Sequence, residues 1–294
     1  MFRRHFRQFL AASACAILIC SGVTSMGQLS LDSHGIRTYV PGQAEFERGV
    51  TGLTFAGKDD KYFLPFGIVV QNRGNSTIVA YSLQWIFDNG DGQPVVKEYN
   101  YTSPTALNDG ANPRSGGFDA DAVFVPGDSR LLTPVHNRDL RPKTNSLPLT
   151  SSPSEAKQEM TEFARAQSEK PFKEVRLASY VLADGTCVRS FESKLCTQLQ
   201  ATVDATQDIL QAAQAQEFKG DKVDYINSLT NKSISLRKGS DRGDEDYKST
   251  YDTIQSALLA HIGRQIQGVG YEQMIANVKS RLYQTRPSIT EKSN

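Results

Sequence analysis

Cys187 and Cys196 are the first residues whose type and spacing could do chemistry. They stand nine positions apart, and the other two cysteines, Cys15 and Cys20, lie in the N-terminal apolar run. An even pair left after export closes a disulfide in an oxidising compartment. The spacing is not Cys-x-x-Cys, so neither a thioredoxin-like redox site nor a zinc ribbon is indicated. Asp88-Asn89-Gly90-Asp91-Gly92 is the second group. Hard cations want clustered oxygens, and Asp119 and Asp121 would join Asp88 and Asp91 if their loops met. The spacing is not that of an EF-hand and lacks its closing glutamate. A turn is therefore the expectation, with weak calcium binding as the alternative.

The remaining chemistry is sparse. His34, His136 and His261 form no His-x-x-x-His or His-Glu-x-x-His pair, which disfavours a zinc hydrolase. No Gly-x-Ser-x-Gly elbow occurs. Gly268-Val269-Gly270 lacks the third glycine of a dinucleotide loop, and no phosphate-loop motif is present. Each histidine reads as structural or solvated. Paired carboxylates could serve a glycosidase, but any two acids qualify in sequence alone. Arg242-Gly243-Asp244 spells an integrin-type tripeptide, yet Asp244, Glu245 and Asp246 suit the first turn of a helix. Sequons at Asn75, Asn100 and Asn231 matter only in a host that glycosylates exported chains. The sequence thus assigns no catalytic residue, cofactor or metal.

Two kinds of element must position these residues. Residues 35–190 are rich in β-branched and aromatic residues, Gly, Pro and Asn; residues 190–284 are rich in Ala, Gln, Lys, Asp and Leu at helical spacing. Val79, Tyr81, Leu83, Trp85 and Phe87 alternate along 77–87, with Ala80, Ser82 and Gln84 between them. That predicts an antiparallel strand with one wet side, paired through an Asn-Arg-Gly-Asn turn with 66–72. Further strands are expected at 35–40, 49–55, 95–101, 122–125 and 130–135. A last pair, 174–182 and 186–188, is joined by Asp184-Gly185, a strong hairpin signal. Residues 106–117 and 137–153 read as loops, and 154–168 as a short helix capped by Ser154.

Helical stripes follow. Phe191, Leu195, Leu199, Val203, Leu210 and Ala213 make the first, ending before Gly220. Asp221 can cap a second, with Val223, Ile226 and Leu229. Tyr247, Tyr251, Ile254, Leu258 and Ile262 make a third; Tyr271, Ile275, Val278 and Leu282 a fourth. Strands followed by helices predict an α+β chain: an antiparallel, immunoglobulin-like β-sandwich over 28–190 and a region of three to four helices over 191–294.

The N-terminus predicts export. Arg3, Arg4 and Arg7 precede an apolar run over 9–23, closed by small residues with cuts after Ser25 or Gly27. This is the pattern of a cleavable signal peptide over 1–27. The run is roughly 15 residues, short of the ~20 a permanent span needs. An uncleaved anchor, a lipoprotein signal at Cys20 and the twin-arginine route are weaker alternatives, the last because Arg7 and Gln8 stand where that motif has Leu and Lys. The leader holds three of the 33 basic residues and none of the 32 acidic ones, so the mature chain has 30 against 32, a net charge of −2. Such a balance gives no electrostatic case for nucleic acid or an anionic membrane surface.

The strand at 67–87, its Asn-x-x-x-Ser turn, and Val125-Pro126-Gly127-Asp128-Ser129 before another strand resemble the sandwich of many exported bacterial proteins. Ala183-Asp184-Gly185-Thr186 followed by a long helix resembles uncharacterised secreted bacterial proteins with a sandwich and a helical tail. The resemblance implies a fold and carries no catalytic residue. The functional expectation is a non-catalytic binding or scaffold protein of the periplasm or cell surface, with an unknown protein or carbohydrate partner. The alternatives are a carbohydrate-active hydrolase using loop carboxylates and a structural subunit of an envelope assembly.

Overall fold

Every residue of the strand Ile78–Phe87 is buried, and the architecture follows from what covers its two faces. The computed structural model describes residues 34–51, 63–107, 123–134, 137–139, 172–237, 244–285 and 288–293. The leader, the helix expected over 154–168, His136, Asp119 and Asp121 lie outside them.

In chain order the elements are β1 (Ile36–Tyr39), α1 (Ala44–Val50), β2 (Ile68–Asn72), β3 (Ile78–Phe87), β4 (Val95–Thr102), β5 (Ser129–Leu132), β6 (Asn137–Asp139), β7 (Phe172–Leu182), β8 (Thr186–Arg189), α2 (Leu195–Ala215), α3 (Lys222–Arg237), α4 (Glu245–Val269), α5 (Tyr271–Gln284) and β9 (Thr290–Ser293). The chain is α+β. One sheet is antiparallel, in the order β1-β2-β5-β6; the other is mixed, in the order β4-β3-β7-β8-β9.

The strands 66–72 and 77–87 are both present but are not a hairpin. β2 pairs with β1 and β5, whereas β3 pairs with β4 and β7. The turn between them is an arch from one sheet to the other. Gly74 makes the arch possible, because a Cβ there would collide with the backbone oxygen of His34. Asn72 locks it, with its side-chain amide donating to Ser76 O at 2.8 Å and Phe124 O at 2.9 Å.

Two sheets linked by an arch share one core. Ile36, Ile68, Val70 and Leu132 meet Tyr81, Leu83, Trp85, Val175, Leu177 and Tyr180 across it. Trp85 is fully buried and donates its indole N–H to Phe66 O at 2.9 Å, so its polar atom is satisfied where its ring excludes water.

The expected wet side of β3 is also buried, which corrects the one-sided reading. A register shift between Ile78 and Ala80 turns Val79 away from Tyr81. Val79 and Ala80 then pack under Leu195, Cys196 and Leu199 at the start of α2. Residues 190–194 cover Ser82 and Gln84. Two further expectations change locally. Gly49 and Val50 end α1 instead of opening a strand, and Phe46 on that helix packs on Val69 and Leu131. The start of the expected loop 106–117 belongs to a 3-10 turn over Pro104–Leu107, and Asn137–Asp139 at the start of the expected loop 137–153 forms a strand.

The helices bury most of their stripes against one another; on α3 Tyr225, not the expected Val223, enters with Leu229, and Val223 faces solvent. Ile209, Leu210, Tyr225, Leu229, Leu258, Ile262, Met274 and Val278 form a second core contributed by all four. Asp221 caps α3 by accepting from Asp224 N at 2.9 Å, and Asp244 caps α4 by accepting from Asp246 N at 2.9 Å. Among the described residues no helix is long and apolar enough to cross a membrane.

Candidate functional site

The chemistry-bearing residues end up in separate places. Cys187 on β8 and Cys196 in the first turn of α2 are bonded, with Cα atoms 5.9 Å apart. Both are buried, so the bridge fastens the helix to the sheet from within. Asp88 and Asp91 organise their own turn. Asp88 Oδ1 accepts from Gly90 N at 2.8 Å, and Asp91 accepts from Gln93 N at 2.9 Å and Asn89 Nδ2 at 2.7 Å. Their oxygens are aimed at the turn's own donors, as in an Asx turn. Among the described residues no group of three His, Cys, Asp or Glu side chains could hold a metal ion.

The two described histidines lie on different elements. His34 sits edge-on to Tyr180 with centroids 6.4 Å apart. His261 lies on α4, where burial first, then Arg281 and Arg264, hold its pKa below the usual histidine value.

The densest convergence of polar groups was not singled out from the sequence. It lies on the α2 side of the mixed sheet, around Glu98. Glu98 Oε1 accepts from Ser82 Oγ at 2.8 Å, Ser193 Oγ at 2.9 Å and Lys194 N at 3.1 Å; Oε2 accepts from Gln84 Nε2 at 3.1 Å. Gln84 also donates to Glu192 O at 2.7 Å and accepts from Arg176 Nε at 3.0 Å. The Arg176 guanidinium lies 3.9 Å from the Phe191 ring centroid. Ser193 lies 2.8 Å from Ser179 and accepts from Leu195 N at 3.3 Å. The Ser193 hydroxyl beside a carboxylate invites a nucleophile–base reading, but it is buried and committed on every side. The group pins residues 190–194 to the sheet. It also explains why the first long helix starts at Leu195: Phe191, expected on its stripe, is held under Arg176.

Next to this network a groove of about 390 Å³ opens between β4, the 3-10 turn, α2 and α4. Leu195, Leu199 and Ile254 contribute apolar surface; Thr202, Ser249 and Thr253 contribute hydroxyls. Among the described residues none that lines it is charged or aromatic. Gln198 borders it and accepts from Asn100 Nδ2 at 2.9 Å, tying β4 to α2. Thr202 donates to Gln198 O and Thr253 to Ser249 O, each at 2.8 Å. Their protons are used inside the helices, so toward the groove these two oxygens act as acceptors.

Two spacing signals for these places were present. Ser82 and Gln84 interrupt an apolar strand on one parity, paired with Asn100 and Glu98 on β4. Gln198 and Thr202, and Ser249 and Thr253, are four-residue repeats of uncharged polar residues on two amphipathic helices. Neither signal shows that the faces meet.

Comparison with protein-family models, with curated proteins and with solved structures finds no match for this chain.

Proposed function

We propose that this is an exported, non-catalytic binding protein of the periplasm or cell surface, with the groove between β4, α2 and α4 as its ligand surface. The observation that carries the reading is the lining of that groove among the described residues: aliphatic and uncharged polar side chains, without an acid, a histidine or an aromatic platform. A hydrolase built on carboxylates needs two acids facing one cleft. A recognition groove needs apolar area and a few oriented polar groups, and seams between structural layers are common places for one.

Strand order supports an immunoglobulin-like sandwich. Read as A, B, C, C′, E, F and G, the strands β1, β2, β3, β4, β5, β7 and β8 give neighbours A-B-E and C′-C-F-G, with a buried Trp on strand C. The departures are β6, which follows β5 instead of preceding it, and β9, which adds beyond G. The Arg-rich apolar leader and the buried disulfide support export, and both accord with the resemblance to secreted bacterial proteins.

Two experiments test the proposal. Intact mass of secreted protein should show loss of 25–27 residues and of the two hydrogens of one disulfide; a full-length mass overturns cleavage. Methyl NMR of threonine-labelled protein should show shifts at Thr102, Thr202, Thr250 and Thr253 when panels of uncharged peptides and neutral oligosaccharides are added, with the added compounds unchanged. Cleavage of a glycoside in the same tube would favour the hydrolase, and a panel-wide lack of shifts at those methyls overturns the groove as the site.

A further inference from the structure

The last strand of the mixed sheet comes from the far end of the chain. β9 follows all four C-terminal helices and pairs with β8 in parallel, Thr186 with Thr290 through Arg189 with Ser293. It is the one parallel ladder among the described residues. Without it, β8 would present the unpaired N–H and C=O groups of a strand whose Thr186, Cys187 and Val188 side chains are already buried in the fold.

What holds β9 is local and readable. Ile289 packs on the cluster of Val181, Cys187, Leu195 and Cys196. Its N–H donates to Gln200 Oε1 at 2.8 Å, and Thr290 N donates to Gly185 O at 3.0 Å. Two residues beyond Ile289, Glu291 pairs with Arg189 at 3.1 Å. The edge of β8 therefore recognises an extended segment with an aliphatic residue and, two positions on, an acid. Thr290, Glu291 and Lys292 are exposed, so of the tail's side chains Ile289 is the one seated in the fold.

We propose that the β8 edge is a strand-acceptor site, and that the C-terminal tail of a second copy of this chain fills it in exchange for the chain's own. Every contact that seats the tail within one chain is available between two, so exchange conserves them and depends on concentration. The charges also choose exchange over stacking. In a two-fold antiparallel pair of β9 strands, paired residues share a face, so the two registers of greatest overlap oppose Glu291 to its own copy or Lys292 to its own copy. Edge-to-edge association through β9 is repelled, whereas Glu291 against Arg189 is attractive in either chain.

The test uses the full chain. An Arg189→Lys variant is made in light and ¹⁵N-labelled forms, which are mixed, equilibrated and treated with a zero-length carbodiimide that joins the new amine to Glu291. Exchange predicts cross-linked peptides with one light and one heavy arm, rising with protein concentration toward about half of the product in a fully swapped population. Only light–light and heavy–heavy products at every concentration overturn the proposal. Sedimentation of the unmodified chain is the second measurement. A dimer that grows with concentration is expected, and a monomer throughout overturns the exchange even if the variant fails to cross-link.

Discussion

Glu98 takes four donors on its two oxygens, and three of them come from side chains on the neighbouring strand β3 or the 190–194 loop. Replacing it by Gln leaves one acceptor oxygen and points an amide at groups that already donate. Glu98→Gln should therefore cost about 2 kcal/mol, seen as a lower denaturant midpoint at unchanged slope. A midpoint within error of the parent would show that the network contributes nothing. A second residue-scale effect concerns the tyrosine pairs between α2 and α4. Tyr247 donates to Asp204 at 2.7 Å and Tyr251 to Asp208 at 2.5 Å, a matched four-residue step on both helices. Burial first, then the hydrogen bond to Asp208, raises the Tyr251 pKa far above its usual 10.0. The folded state thus keeps a proton that the unfolded state releases above about pH 10, so this contribution is complete below that pH and is lost as pH rises through and beyond it. Between about pH 10 and 11.5 the parent should lose stability more steeply than Tyr251→Phe. Parallel slopes would contradict the assignment.

At the scale of elements, the disulfide governs how α2 sits on the sheet. It closes a nine-residue separation between β8 and the first turn of α2. Chain entropy gives a loop that short about 2–3 kcal/mol. The double variant Cys187→Ser, Cys196→Ser should lose that amount, and hydrogen exchange should quicken first in residues 190–199. Uniform quickening across β3 and β7 would mean that the bridge supports the whole sheet instead of the helix start. α2 starts four residues after the first residue of its stripe for a related reason. Phe191 has the right spacing for the stripe, but Arg176 and the Glu98 group hold 190–194 off the helix path.

At the scale of the molecule, α2 belongs to both halves. Its first turns supply Leu195 and Leu199 to the sheet side, while Ile209 to Ala213 enter the helical core. A rigid helix shared by two cores couples their unfolding. Calorimetry on the oxidised protein should show one transition, with calorimetric and van't Hoff enthalpies equal. Two resolved transitions would mean that the sheets and the helices melt independently.

Period and punctuation in the sequence determined most elements: the alternation of 78–87, the Asp184-Gly185 hairpin, the caps at Asp221 and Asp244, and the helical stripes apart from that of α3, where Tyr225 is buried in place of Val223. These are local signals, set by the backbone's own geometry. Partnership was not local. That β2 and β3 lie in different sheets turns on Gly74 meeting His34, forty positions earlier in the chain. That Ser82 and Gln84 face Glu98 and not water turns on a loop from 190–194. That residues 290–293 add a strand to β8 turns on four polar residues with no strand pattern of their own, held at that edge by the seat of Ile289 and the pairing of Glu291 with Arg189. The groove is the same case at larger scale: its polar pairs were visible on two helices, and only the packing of those helices against β4 made them one surface.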